Sequence, residues 1–114
     1  MDILREAGLD VEGALGRLMN NQAFYLKMLG KFQQDTHFAK LLDCVEAGDA
    51  KGAGECAHAL KGMSATLGMT ALSDLCARLQ HLYQGEAESD PAAVVAEAKR
   101  EYGRMMDALG KALA

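Results

Sequence analysis

His58, Lys61 and the glycines near them are the residues of this chain whose types and spacing carry chemistry. They lie in Ala57-His58-Ala59-Leu60-Lys61-Gly62-Met63-Ser64-Ala65-Thr66-Leu67-Gly68. On a helix, Gly54, His58, Lys61, Gly62 and Ala65 share one face, roughly opposite Leu60, Met63 and Leu67. An imidazole and an ammonium therefore stand on a patch nearly bare of other side chains. A glycine inside a helix costs about 0.5–1 kcal/mol relative to alanine. Two of them flanking one histidine need a reason, and close approach of another molecule supplies it. Gly54, Gly62 and Ala65 are the expected docking surface, with Lys51 and Arg78 at its rim. A neutral imidazole there is a nucleophile. A lysine one turn away offsets the charge that develops if the imidazole takes up a phosphoryl group.

Gln80 is the third candidate. The turn between the two central helices centres near Met69, with His58 11 residues before it and Gln80 11 after it. At 1.5 Å rise per residue, an antiparallel hairpin puts them at one height. Gln80 also lies off the Leu72-Leu75-Leu79-Leu82 seam, so its amide can reach the ring. An amide oxygen accepting from Nδ1–H would fix the tautomer and leave the Nε2 lone pair facing out. Between Lys51 and Leu82 three cations face two carboxylates, while the whole chain carries −4. The acidic surplus lies elsewhere, which suits an anionic group at His58.

The elements that must position these residues are helices. Ala and Leu number 20 and 16, Val, Ile and Thr together only 8, and there is one proline. That balance favours helix over sheet. Gly8 to Asp10 separates a short N-terminal turn from an amphipathic stretch, Val11 to Met19. Asn20-Asn21 stops it and caps the next element. From Gln22 the apolar rhythm of Phe24, Met28, Phe32, Ala39, Leu42 and Val45 predicts one long helix to Gly48, with a kink at Asp35-Thr36-His37. Asp49 caps a helix to about Leu67, which Gly68 stops; Thr70 caps the next. Ser89 or Asp90 caps the last, with Pro91 in its first turn. Short links between long amphipathic helices predict an all-α, antiparallel up-down four-helix bundle with a short extra N-terminal helix. Residues 1–114 read as one domain, a cap of about 1–19 closing one end of a bundle of about 21–113. Met63, Met69, Met105 and Met106 read as core. Ser64 reads as bonding a backbone carbonyl.

The run from His58 to Gly68 resembles the signature of histidine-containing phosphotransfer (HPt) domains: His-x-Leu-Lys-Gly, a small residue, then Leu-Gly. Gly48-Asp49 and Gly8-Leu9-Asp10 are also similar to the family, and the likeness covers nearly the whole chain. A lone His-x-x-Lys-Gly is a weak signal; the full run on a capped helix is a specific one. The resemblance implies that His58 is the phosphoacceptor, with no intrinsic kinase activity and therefore no enzyme in the strict sense. Lys61 is the lysine beside it, Gly62 the glycine that permits docking, and Gln80 the residue facing the ring. It implies response-regulator receiver domains and a sensor (hybrid) histidine kinase as partners. No cofactor is expected, since the Mg²⁺ of transfer belongs to the receiver. Met63 departs from the pattern by being larger than usual, and Gln80 by replacing a common glutamate.

Other readings are weaker. Glu55-x-x-His58 has the spacing of a di-iron bundle motif, but there is no second Glu-x-x-His, so no metal is expected. Cys44, Cys56 and Cys76, spaced 12 and 20 apart, fit no disulfide framework or zinc motif and read as thiols in a reducing cytosol. His37 and His81 have no comparable setting. The net charge of −4 gives no basic face for nucleic acid. No stretch approaches the ~20 apolar residues of a membrane span, and no secretory leader is legible, so a cytoplasmic monomer is expected. The rival from another class is an HPt-like bundle that binds receivers or kinases without carrying phosphate. A hydrolase would need a cleft with converging polar groups rather than a bare ridge.

Overall fold

The computed structural model describes residues 1–85 and 90–114, and among them every regular element is a helix. They are α1 (Asp2–Glu6), α2 (Val11–Arg17), α3 (Gln22–Gln34), α4 (His37–Glu46), α5 (Ala50–Thr66), α6 (Thr70–Tyr83) and α7 (Ala92–Ala112). Side-chain caps set several starts. Asp10 accepts from the Gly13 N–H, Asn21 from Phe24 and Asp49 from Gly52, at 2.9–3.0 Å. Two expected caps differ. Met69 rather than Thr70 occupies the cap of α6, and Thr70 is already helical. Pro91 stands at the cap of α7, with the Asp90 carboxylate accepting from the Ala92 N–H at 3.0 Å. Ser89, the alternative cap, lies outside the described residues.

The single long helix expected from Gln22 to Gly48 is two helices. Asp35 is extended (φ −68°, ψ 142°), and its carboxylate accepts from both the backbone N–H of His37 (2.9 Å) and its Nδ1 (2.8 Å). A side chain that takes over a backbone donor competes with the helix for it. The buried face also differs from the expected rhythm: Phe24 and Ala39 are exposed, and Tyr25, Leu29, Phe32, Phe38 and Leu41 face the core. Phe32 before the break and Phe38 after it both pack on Tyr102 of α7, with ring centroids 6.1 and 4.1 Å away.

α5 packs against α4 and α6, α6 against α7, and α7 against α3 and α1. The core between them is filled by Leu29, Leu41, Leu60, Leu72, Leu79 and Leu109, all fully buried. Cys76 is buried beside the α6 leucines, and burial pushes its thiol up to about 12. Met69 and Met105 are core residues as expected, whereas Met63 and Met106 are only partly buried. Ser64 is buried and donates to the Leu60 carbonyl.

α2 covers the end of the molecule where α5 turns into α6. The Arg17 guanidinium donates to the carbonyls of Ala65 (2.7 Å) and Thr66 (3.3 Å), and the Tyr25 hydroxyl donates to that of Leu67 (2.8 Å). The last carbonyls of α5 thus find donors, one of them a cation suited to a helix C-terminus. At the turn Gly68 adopts φ +85° and accepts from the Asp10 N–H at 2.8 Å. A Cβ there would lie 2.5 Å from the Asp10 carbonyl oxygen. Left-handed backbone alone costs a residue with a Cβ about 1–2 kcal/mol. Gly68→Ala is therefore expected to lower the unfolding free energy by more than ~1 kcal/mol, read from a urea titration followed by helical circular dichroism.

Burial holds the Tyr25 phenol at about 12, with Asp10 and Glu12 adding to the rise and Arg17 opposing it. The folded value exceeds the unfolded one of about 10, so this stabilisation is complete below pH ~10 and lost as pH rises toward 12. Alkaline unfolding in that window should be weaker in Tyr25→Phe, measured against the neutral-pH stability of each protein.

Candidate phosphoacceptor site

α5 and α6 carry the site between them. The short turn returns α6 alongside α5 and sets the register, and His58 and Gln80 meet as the count from Met69 predicts: the Gln80 amide nitrogen lies 3.0 Å from His58 Nδ1. His58 is otherwise exposed, and Gln80 is half-buried beside it. The orientation of the amide differs from the sequence expectation. Its NH₂ rather than its oxygen faces Nδ1, so Gln80 is placed to donate to that nitrogen. A half-turn of the amide exchanges these roles: the oxygen accepts from Nδ1–H and Nε2 keeps its lone pair.

Lys61 is half-buried one turn beyond His58. Its backbone is pinned from two sides, because its carbonyl accepts from Ser73 Oγ of α6 at 3.0 Å and from Ser64 Oγ at 3.3 Å. Among the described residues no carboxylate pairs with its ammonium. That leaves the charge available to an incoming anion. Ser73 had no signal in the sequence beyond its place one turn into α6.

Gly62 and Ala65 are exposed on the same face as His58, and nothing lies within 4 Å of a Cβ built at Gly62. Gly54 does not belong with them. It is buried, and a Cβ there would sit 3.7 Å from Gln84 Cγ and 3.8 Å from Tyr83 Cβ. The end of α6 covers the position at ordinary contact distance, so it belongs to helix packing rather than to an open docking face. Arg78 also departs from expectation, since it turns toward α7 and faces Glu97 at 3.8 Å. Lys51 is exposed near the start of α5.

Beside Gly62 runs a feature that the helical wheel did not supply. A cavity of about 390 Å³ opens between α3 and α5, lined by Met28, Phe32, Met63 and Leu67 as well as Gly62. Met63, assigned to the core from its spacing, helps to form this apolar hollow next to the histidine face. Phe24, one turn before Met28 on α3, is 42% exposed. The size of Met63, where the signature favours a small residue, was the available sign. Among the described residues no group of three His, Cys, Asp or Glu side chains is placed to hold a metal ion. No helix among them is long and apolar enough to cross a membrane.

Compared with known families, residues 26–112 match the model of the Hpt domain. The chain belongs to the Hpt domain family. Hpt domains are phosphocarrier modules of two-component signalling rather than kinases, and the family interacts with receiver domains and kinases in phosphorelays. Searches of curated proteins and of solved structures gave no match.

The two site glycines of this Hpt domain call for different behaviour on substitution. Gly62→Leu fills open space on an exposed helical position, so helix propensity should make it neutral or stabilising by about 0.5–1 kcal/mol. Gly54→Leu drives a side chain into the contact with Tyr83 and Gln84 and should destabilise by roughly 1–3 kcal/mol. Parallel urea titrations of the two variants measure the contrast.

Proposed function

We propose that this chain is a phosphorelay carrier in which His58 takes a phosphoryl group from a receiver-domain aspartate, or from a kinase, and passes it to a response-regulator receiver. The observation that carries the reading is an exposed imidazole tethered at Nδ1 by Gln80, on a face left bare at Gly62. One nitrogen is held from within the protein, and the other points away from it.

In this reading the Gln80 oxygen accepts from Nδ1–H during transfer, with the amide turned over from the orientation seen at rest. The Nε2 lone pair attacks phosphorus in line as the bond to the aspartyl oxygen breaks. The carboxylate leaves with that electron pair. Lys61 offsets charge on the phosphoryl oxygens. The receiver supplies its own Mg²⁺, and transfer onward runs the same steps in reverse. Gly62 and Ala65 let the partner come close, and the hollow of Met28, Phe32 and Met63 gives it an apolar surface to cover. A carrier has to release its partners, which favours a modest interface that dissociates fast.

The architecture belongs to the same proposal. α3 with α4, α5, α6 and α7 form an up-down four-helix bundle, and residues 1–114 act as one Hpt domain with residues 1–19 as its cap. A monomer with unpaired thiols fits a reducing cytoplasm.

The test mixes the purified chain with a receiver domain labelled on its aspartate. The chain should acquire an acid-labile label, and His58→Gln should acquire none while keeping its helical spectrum. Label on His58→Gln would overturn the assignment. Gly62→Leu, folded by the criterion above, should slow transfer at least roughly tenfold by blocking approach. Lys61→Ala should slow it by roughly ten- to a hundredfold without abolishing it. A wild-type chain that binds receivers and never takes label would instead be the interaction module of the alternative reading.

A further inference from the structure

We propose that Cys44 and Cys56 are a redox pair that closes into a disulfide between α4 and α5 when the protein meets a peroxide. Both thiols are half-buried and unpaired, whereas Cys76 is sealed in the core. α4 and α5 pack side by side. The turn that joins them is tied by the Asp49 N–H donating to the Cys44 carbonyl at 2.9 Å. Cys44 reaches across to α5, where a Cβ built at Gly52 would lie 2.8 Å from its sulfur. Cys56 stands one turn beyond Gly52 on the same face of α5. Helical side chains lean toward the N-terminus of their own helix. In two antiparallel helices joined by a short turn, that lean carries Cys56 back toward Gly52 and Cys44 away from the turn, so the two sulfurs converge. The bare position at Gly52 gives them the room.

Burial pushes the Cys44 thiol up, and Asp49 and the Cys56 thiol push it further. Either sulfur can attack first; Cys56 serves as the example. The Cys56 thiolate attacks one peroxide oxygen; an S–O bond forms, the O–O bond breaks, and hydroxide leaves to become water. The Cys44 sulfur then attacks the sulfenic sulfur. An S–S bond forms, the S–O bond breaks, and the Cys44 thiol proton goes to the departing hydroxide, giving a second water. The two sulfurs together lose two electrons to the peroxide. Cys56 and His58 point to roughly opposite sides of α5. The bond would brace the phosphoacceptor helix from behind and leave Nε2 accessible.

The full chain is treated with hydrogen peroxide, alkylated, and digested with trypsin without reductant. Cleavage after Lys40, Lys51 and Lys61 separates residues 41–51 from residues 52–61, with one cysteine in each. The expected product is these two peptides joined, lighter by two hydrogens than their sum and released by dithiothreitol. Closing so short a loop should also raise Tm, on the order of 5–10 °C. Cys44→Ser and Cys56→Ser should each lose the linked species and the Tm rise. Both thiols recovered free at a peroxide dose that oxidises a reference dithiol would overturn the proposal. So would separate sulfinic or sulfonic acids, or links to Cys76 or to a second chain. His58→Gln should form the bond as readily as the parent, so this result and the phosphotransfer result stand or fall separately.

Discussion

The candidate site depends on how one helix hands over to the next at Gly68. The backbone there is left-handed, and the Asp10 carbonyl passes too close for any side chain. Asp10 donates its own N–H to Gly68, while Arg17 and Tyr25 take the last carbonyls of α5. Every one of these contacts comes from the N-terminal quarter of the chain. The cap segment is thus a clamp on the α5–α6 turn, and the turn fixes the register in which Gln80 faces His58. A shift of one residue in α6 would rotate Gln80 by about 100° and remove the contact.

Within that frame the site solves a conflict between order and access. In the proposed reaction the imidazole must be oriented, yet its reactive nitrogen must reach a phosphoryl group held by another protein. Burial would orient the ring and deny access. A single side chain bonding Nδ1 from the neighbouring helix does the first without the second. The same division holds for Lys61, where the polar contacts from Ser64 and Ser73 fall on its carbonyl and leave the ammonium to the surface. Backbone is pinned and charge is left mobile, which suits the role proposed for Lys61.

What was legible in the sequence was local or arithmetic. The caps at Asn21 and Asp49 follow from a short acceptor next to unpaired N–H groups; the cap at Asp10 was read only as a separator. The meeting of His58 and Gln80 follows from equal counts either side of a turn. The break at Asp35 was missed, and so was the buried face: of Phe24, Met28, Phe32, Ala39, Leu42 and Val45 only Phe32 is buried, while Tyr25, Leu29, Phe38 and Leu41 fill the core. In so apolar a stretch more than one helical spacing can be drawn, and none of them reports whether the backbone is continuous. Gly54 misled for a related reason. A glycine on a helix face signals close approach, but the approaching surface can be the protein's own neighbouring helix as easily as a partner. The amide orientation at Gln80 is invisible to sequence, since one residue type offers both a donor and an acceptor.

Gly54 and Gly62 show why residue type alone underdetermines a role. Each costs α5 about the same helix propensity. At Gly54 the end of α6 covers the position, and an added Cβ would make ordinary contacts with Tyr83 and Gln84. At Gly62 nothing in the chain approaches, so folding recovers nothing. Gly16, Gly30, Gly103 and Gly110 are equally open, so open space by itself marks no site; what sets Gly62 apart is its place in the middle of a 17-residue helix, one turn from an exposed histidine and beside an apolar hollow. In the proposed relay, a docking partner would use the missing side chain at that place as its point of entry.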